Sequence, residues 1–230
     1  MIKKLGLLVF GLGLLMGCSS DDGGSSSNAF NPDDYVYYIK GKVNGEDFLY
    51  GQLASATVLD YSQPDYGNSI TSNCAFNPTG GGVNYTSGVY PSLENEARPN
   101  MYFDFVRFYL CAADFDNNPA LTFNDSFPEG SYATAVSNNH NTGTTGAVSL
   151  HYRSDSTNNM IFYNSLGDNQ SNNSFEITSS VNANQTLGQQ VLRRSQLING
   201  SFNYTLYNSN DLTDVIEITD GEFKLFVVFD

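Results

Sequence analysis

The sequence predicts an all-β fold: a single antiparallel β-sandwich, immunoglobulin-like or jelly-roll-like. Three observations predict it. The apolar segments are built from Tyr, Phe, Val, Ile and Thr, and the gaps from Asn, Gly, Ser and Asp, which is the vocabulary of strands and turns. Two C-terminal runs alternate with a period of two, Phe202, Tyr204 and Leu206 in the first and Phe223, Leu225, Val227 and Phe229 in the second. Turn pairs stand between such runs, Asn44-Gly45 near the front and Asp220-Gly221 near the end. Such pairs tolerate the positive φ that a two-residue hairpin needs.

In chain order, Tyr35 to Val43, the Asn44-Gly45 turn and Glu46 to Tyr50 make the first expected hairpin. Further strands are expected at Leu53 to Leu59, Ile70 to Phe76, Gly88 to Tyr90, Met101 to Cys111, Ser131 to Val136, Ala147 to Arg153, Met160 to Asn164 and Ser174 to Val181. Ser201 to Tyr207 follows, and Val215 to Thr219 turns through Asp220-Gly221 into Glu222 to Phe229. Gln185 to Gln196 is the one stretch expected to form a short helical turn. The polar runs 137–146 and 167–173 read as long exposed loops.

The N-terminus carries different information. Met1-Ile2-Lys3-Lys4 is a short positive region, and Leu5 to Met16 is uncharged and apolar. That stretch is too short for a bilayer span of about 20 apolar residues and fits the core of a secretion signal. Leu15-Met16-Gly17-Cys18 resembles the lipobox of bacterial lipoproteins. The resemblance implies cleavage before Cys18 and acylation of that residue, with residues 1–17 removed as a signal peptide. Ser19-Ser20-Asp21-Asp22 resembles the acidic export signal of surface lipoproteins in the Bacteroidota, which implies display at the cell surface on the outer membrane. Residues 18–34, with Gly23 to Asn28 as their centre, read as a flexible tether. Residues 35–230 are expected to form one domain, since sandwiches of this length commonly hold one core.

The formal charge is −14, and loss of Lys3 and Lys4 with the signal peptide makes the remainder more acidic. Such a balance excludes nucleic acid as a partner, because affinity there comes from clustered Lys and Arg. It also leaves attachment to a membrane to the acyl anchor. Besides Cys18 there are Cys74 and Cys111. In an oxidising compartment the pair suggests a disulfide, whose closure would stabilise the fold by roughly 4 kcal/mol. The alternative is two buried thiols acting as small apolar groups.

A second resemblance lies in the turn-rich segments. "KVNGEDF" at residues 42–48 and "INGSFNYTL" and "IEITDGEF" near the end are similar to the edges of small β-sandwich domains in uncharacterised Bacteroidota lipoproteins. This implies fold and location, and no activity.

Catalytic chemistry is sparse. His140 lies in a polar loop, and His151 has the parity of a solvent-facing strand residue. Two isolated histidines do not make a zinc site. Asp104 sits inside the apolar run "MYFDFVRFYL", where a charge needs a partner or exposure. It reads either as a ligand-binding or active-site carboxylate, with Glu176 or Glu217 as an acidic partner, or as an outward, salt-bridged residue. Asp114, Asp116 and Asn118 have the opening spacing of a calcium loop, but Pro119 stands where an EF-hand needs Gly. The readings there are a Ca²⁺ site of other geometry or an Asp/Asn-rich turn; no other cofactor is indicated. Tyr61, Tyr66 and Tyr85, expected in loops beside Asn and Asp, are candidate platforms for a sugar. Asp155-Ser156-Thr157 is similar to the O-glycan acceptor motif of the Bacteroidota.

Together these features lead to one expectation: a lipid-anchored envelope lipoprotein acting as a non-catalytic binding or structural module for a glycan or protein ligand. The alternative is a carbohydrate-active hydrolase with paired carboxylates on one sandwich face.

Overall fold

The computed structural model describes residues 30–55, 65–90, 100–113, 119–154, 161–166 and 170–229. Cys18, Tyr61, Asp114, Asp116 and Asn118, with the segment expected as a signal peptide, most of the expected tether and the 155–157 motif, lie outside them. Twelve strands account for most of the described chain: β1 Tyr35–Val43, β2 Glu46–Leu53, β3 Asp65–Ser72, β4 Gly82–Tyr90, β5 Asn100–Leu110, β6 Gly130–Thr134, β7 Ala147–Arg153, β8 Phe162–Asn164, β9 Ser174–Asn182, β10 Gln185–Leu187, β11 Gln190–Asn208 and β12 Asp211–Phe229. The only α-helix among these residues is the single turn Pro119–Thr122. None of them forms a helix long and apolar enough to cross a membrane.

The strands form one continuous sheet in the order β2-β1-β12-β11-β9-β6-β7-β5-β4-β3; β10 adds to β11, and β8 bridges β11 and β7. The sheet folds over so that its halves face each other, which gives the predicted all-β, sandwich-like architecture. The aromatic core shows the facing directly. Phe103 of β5 meets Phe175 of β9, Phe202 of β11 and Phe223 of β12 at ring distances of 5.1, 5.0 and 5.5 Å. Tyr204 of β11 donates its hydroxyl to the Val148 carbonyl of β7 at 3.0 Å. Alternation explains these placements: Phe175 and Ile177 point in from β9, Phe202, Tyr204 and Leu206 from β11, Met101, Phe103 and Phe105 from β5. One pairing departs from the antiparallel expectation, for β6 and β7 run parallel.

The turn pairs behave differently from one another. Asn44 and Gly45 have φ of 50° and 89° and close the β1–β2 hairpin as expected. Asp220-Gly221 does not reverse the chain. It lies inside the 19-residue strand β12, where the register with both β1 and β11 shifts. Asp220 has φ 52°, so its positive-φ tolerance makes a bulge instead of a turn. Asn199-Gly200 is likewise a register shift within β11 against β9. The helical turn expected at Gln185 to Gln196 is corrected as well: β10 and β11 form a hairpin there, turning at Gly188 with φ 60°. Gly188 and the β-branched Thr186 and Val191 favour that hairpin over a helix.

The segment 137–146 is a loop with exposed residues, as expected, yet it is tied down. It lies on the outer face of β5 and β7, where Gly143 is buried and Asn84 of β4 donates to the Asn138 carbonyl at 2.7 Å. Cys74 and Cys111 are joined by a disulfide, with Cα atoms 5.2 Å apart. It ties the turn after β3 to the end of β5.

Candidate functional site

Two polar arrangements stand out, one built around Asp104 and one around a cleft. The first is made by strand register. Pairing of β5 with β7 sets Tyr102 opposite His151 and Asp104 opposite Ser149, and pairing with β4 sets Thr86 opposite Asp104. All these side chains therefore share the outer face, beneath Asn138. Thr86 donates to Asp104 Oδ1 at 2.6 Å, and Asn138 Nδ2 to Asp104 Oδ2 at 2.5 Å. His151 Nε2 lies 3.1 Å from the same oxygen, and the His151 ring stacks on Tyr102 at 4.7 Å. Burial raises the Tyr102 hydroxyl pKa, and the Asp104 charge adds to the effect.

His151 is thus not a solvent-facing residue: its side chain is 16% exposed and that of Asp104 is 14% exposed. The cluster contains a serine, a histidine and an aspartate, but its geometry is not that of a nucleophilic relay. Ser149 Oγ approaches His151 Nε2 at 3.2 Å, the nitrogen that also faces Asp104. A relay needs the serine and the acid on different ring nitrogens. Ser149 moreover donates to Asn138 Oδ1 at 2.8 Å. The Asp104 carboxylate is engaged by three neighbours, and the bond it accepts from Asn138 ties the 137–146 segment to the sheet. Glu176 and Glu217, the acids considered as its partners, are exposed on β9 and β12.

Arg107 extends this arrangement. Its φ of 50° marks an interruption in β5, where the register against β4 shifts. Asn84 Oδ1 accepts from the Arg107 backbone N–H at 2.9 Å. The guanidinium donates to the carbonyls of Gly143 and Gly80 at 3.0 and 3.2 Å, so one side chain pins two loops. Among the described residues no group of three His, Cys, Asp or Glu is placed to hold a metal ion.

The second arrangement is a cleft of about 590 Å³. It opens where β1 parts from β12. Their pairing ends at Tyr38 opposite Lys224, while β12 runs on to Phe229. Ser87 of β4 donates to the Phe226 carbonyl at 2.8 Å. Tyr37 and Phe226 give the cleft aromatic walls; Asn68, Gln185, Arg193 and Ser195 supply amide, guanidinium and hydroxyl groups. Among the described residues no acidic one lines it. A smaller depression of about 320 Å³ beside Arg107 and Thr122 carries one carboxylate, Asp125. Among the described residues neither gathers the two carboxylates that glycoside hydrolysis uses.

Of the tyrosines considered as sugar platforms, Tyr85 is corrected. It lies in β4, not in a loop, and is fully buried. Its ring meets Phe123 and Phe127, each at 5.3 Å. Tyr66 falls in β3, again not in a loop. Sequence reasoning missed the cleft residues, because they come from five strands brought together only by the fold. One signal was available: residues 177–210 contain no Asp or Glu in an otherwise acidic chain, and hold Arg193-Arg194.

No family model, no curated protein and no solved structure matches this chain.

Proposed function

We propose that the chain is a lipid-anchored envelope lipoprotein, attached to the outer membrane through Cys18 and displayed at the surface, whose sandwich serves as a non-catalytic glycan-binding module. The observation that carries the binding half is the chemistry of the cleft: aromatic walls beside amide, hydroxyl and guanidinium groups, with no carboxylate among the described lining residues. Apolar walls with a few placed polar groups are the usual make-up of a small-ligand site. Aromatic faces stack on sugar rings, while the exposed Gln185 amide offers donors to hydroxyls. The anchoring half is supported by the order of basic region, apolar core, Gly17 and Cys18.

A glycan array tests the cleft, with Gln185→Ala and Phe226→Ala compared against the parent chain. A bound glycan should lose about tenfold or more in affinity to either change, the scale of one or two lost contacts. Unchanged binding in both variants moves the ligand away from the cleft. Cell fractionation of Cys18→Ser tests the anchor: the substituted chain should leave the membrane fraction.

A further inference from the structure

The hairpin β10–β11 projects beyond the sheet that supports it. Pairing of β9 with β11 ends at Asn182 opposite Gln196, and pairing of β12 ends at Phe229 opposite Arg194. Between Gln185 and Arg193 the hairpin's strand pairing, among the described residues, is only with itself. Every residue from Gln185 to Leu192 is exposed. Such a two-stranded ribbon is marginal in water without a face to bury, yet its tip is apolar: Leu187 is 70% exposed and Leu192 59%. Leu187 pairs with Gln190 at the turn, and Leu192 is the extra residue where the register shifts between Thr186–Val191 and Gln185–Arg193, so both leucines stand at the end of the hairpin. Val191 is exposed as well and Val181 lies nearby on β9.

Two further observations say what covers this tip. Its surroundings in sequence, residues 177–210, hold Arg193 and Arg194 and no acid, within a chain of net charge −14. Apolar side chains flanked by arginines suit an interface of acyl chains and anionic headgroups. In addition, the folded chain begins at the same end. Val36 and Tyr37 line the cleft together with Gln185 and Arg193 of the hairpin. Cys18 lies seventeen residues before Tyr35, so its acyl group is never more than about 60 Å from β1.

We infer that the β10–β11 hairpin is a second membrane contact, its leucine tip seated in the bilayer interface beside the acyl anchor. The inference rests on the anchoring half of the proposed function. It fixes the orientation of the sandwich, with the hairpin toward the bilayer and the β11–β12 turn pointing away. One acyl-bearing residue alone leaves the domain free to tumble; a hairpin contact removes that freedom.

The chain contains no tryptophan, so single tryptophans report without background. Leu187→Trp, Leu192→Trp and Leu212→Trp are made in the full acylated chain; Leu212 is equally exposed, in β12 beside the far end of β11. Each is placed on vesicles of phosphatidylethanolamine and phosphatidylglycerol, with and without brominated acyl chains. Emission at 187 and 192 should shift to the blue, and bromine should quench it about twofold or more beyond position 212, as expected for side chains seated at the acyl boundary. Equal quenching at all three positions overturns the inference. A blue shift that grows with protein concentration without vesicles also overturns it, because the tip then meets a second copy of the chain. Failure of the anchor shows separately, as equal vesicle sedimentation of the Cys18 and Cys18→Ser chains.

Discussion

At the scale of single residues, two buried tyrosines separate what a hydroxyl contributes from what a ring contributes. Tyr85 and Tyr204 are both enclosed by the core, and burial drives both hydroxyl pKa values far up. Tyr204 donates to the Val148 carbonyl, whereas the Tyr85 hydroxyl has no hydrogen-bond partner among the described residues. An unmet buried hydroxyl costs about 1–3 kcal/mol, while a made bond contributes about 1 kcal/mol net. Tyr85→Phe should therefore leave stability unchanged or raise it, and Tyr204→Phe should lower it by about 1 kcal/mol. Urea unfolding followed by far-UV circular dichroism checks both; a loss in Tyr85→Phe comparable to that in Tyr204→Phe contradicts the account. Tyr85 was illegible in the sequence because "GGGVNYTSG" is as polar as a loop. Its neighbours Asn84 and Thr86 are polar because the outer face of β4 is occupied by the Asp104 cluster, not because it is wet. Asp104 itself was legible as a charge needing a partner. That the partner is His151 depends on the β5–β7 register, which alternation alone does not set.

At the scale of elements, the same dipeptide chemistry produced opposite structures. Asn44-Gly45 reverses the chain, and Asn44 is clasped to β12 by its N–H donating to the Glu217 carbonyl and its Oδ1 accepting from Glu217 N. Asp220-Gly221 bends a strand that continues. What decides is the neighbourhood. Gly221 pairs with Phe202, and Gly200 with Phe223, so each glycine lies under the phenylalanine of the opposite strand. A Cβ on Gly221 would come within 2.7 Å of the Phe202 ring and 2.5 Å of its carbonyl oxygen. Gly221→Ala should accordingly cost about 1–3 kcal/mol, as overpacking does, by displacing a ring that also contacts Phe103. Thermal unfolding measures this, and a melting temperature equal to the parent's would show that the ring moves freely. Local sequence fixes where positive φ is tolerated. Whether that becomes a turn or a bulge depends on distant strands, so the hairpin expected at 215–229 emerged as one long strand.

At the scale of the whole molecule, the fold class was legible because burial on two facing sheets demands alternation, and alternation is local. The order of strands was not, since β1 pairs with β12 across nearly the full domain and β6 joins β7 in parallel through a segment of mostly polar residues. A topology so rich in non-local pairs loses much chain entropy before its contacts form, which makes a cross-link within it consequential. The Cys74–Cys111 bond joins the turn after β3 to the end of β5, and β3 is an edge strand whose only strand pairing among the described residues is with β4. Opening the bond releases a loop with a sequence separation of 37 residues, worth about 4 kcal/mol in the chain-entropy account. That is a large share of the 5–15 kcal/mol that holds a typical domain together. The double variant Cys74→Ser/Cys111→Ser should therefore unfold at markedly lower urea concentration, with little change in far-UV circular dichroism below the transition. Hydrogen exchange adds the direction of the failure: β3 and β4 should lose protection first, while β11 and β12, paired along most of their length, keep theirs. Uniform loss of protection across all strands would mean that the bond stabilises the molecule as one unit and not through its β3 edge.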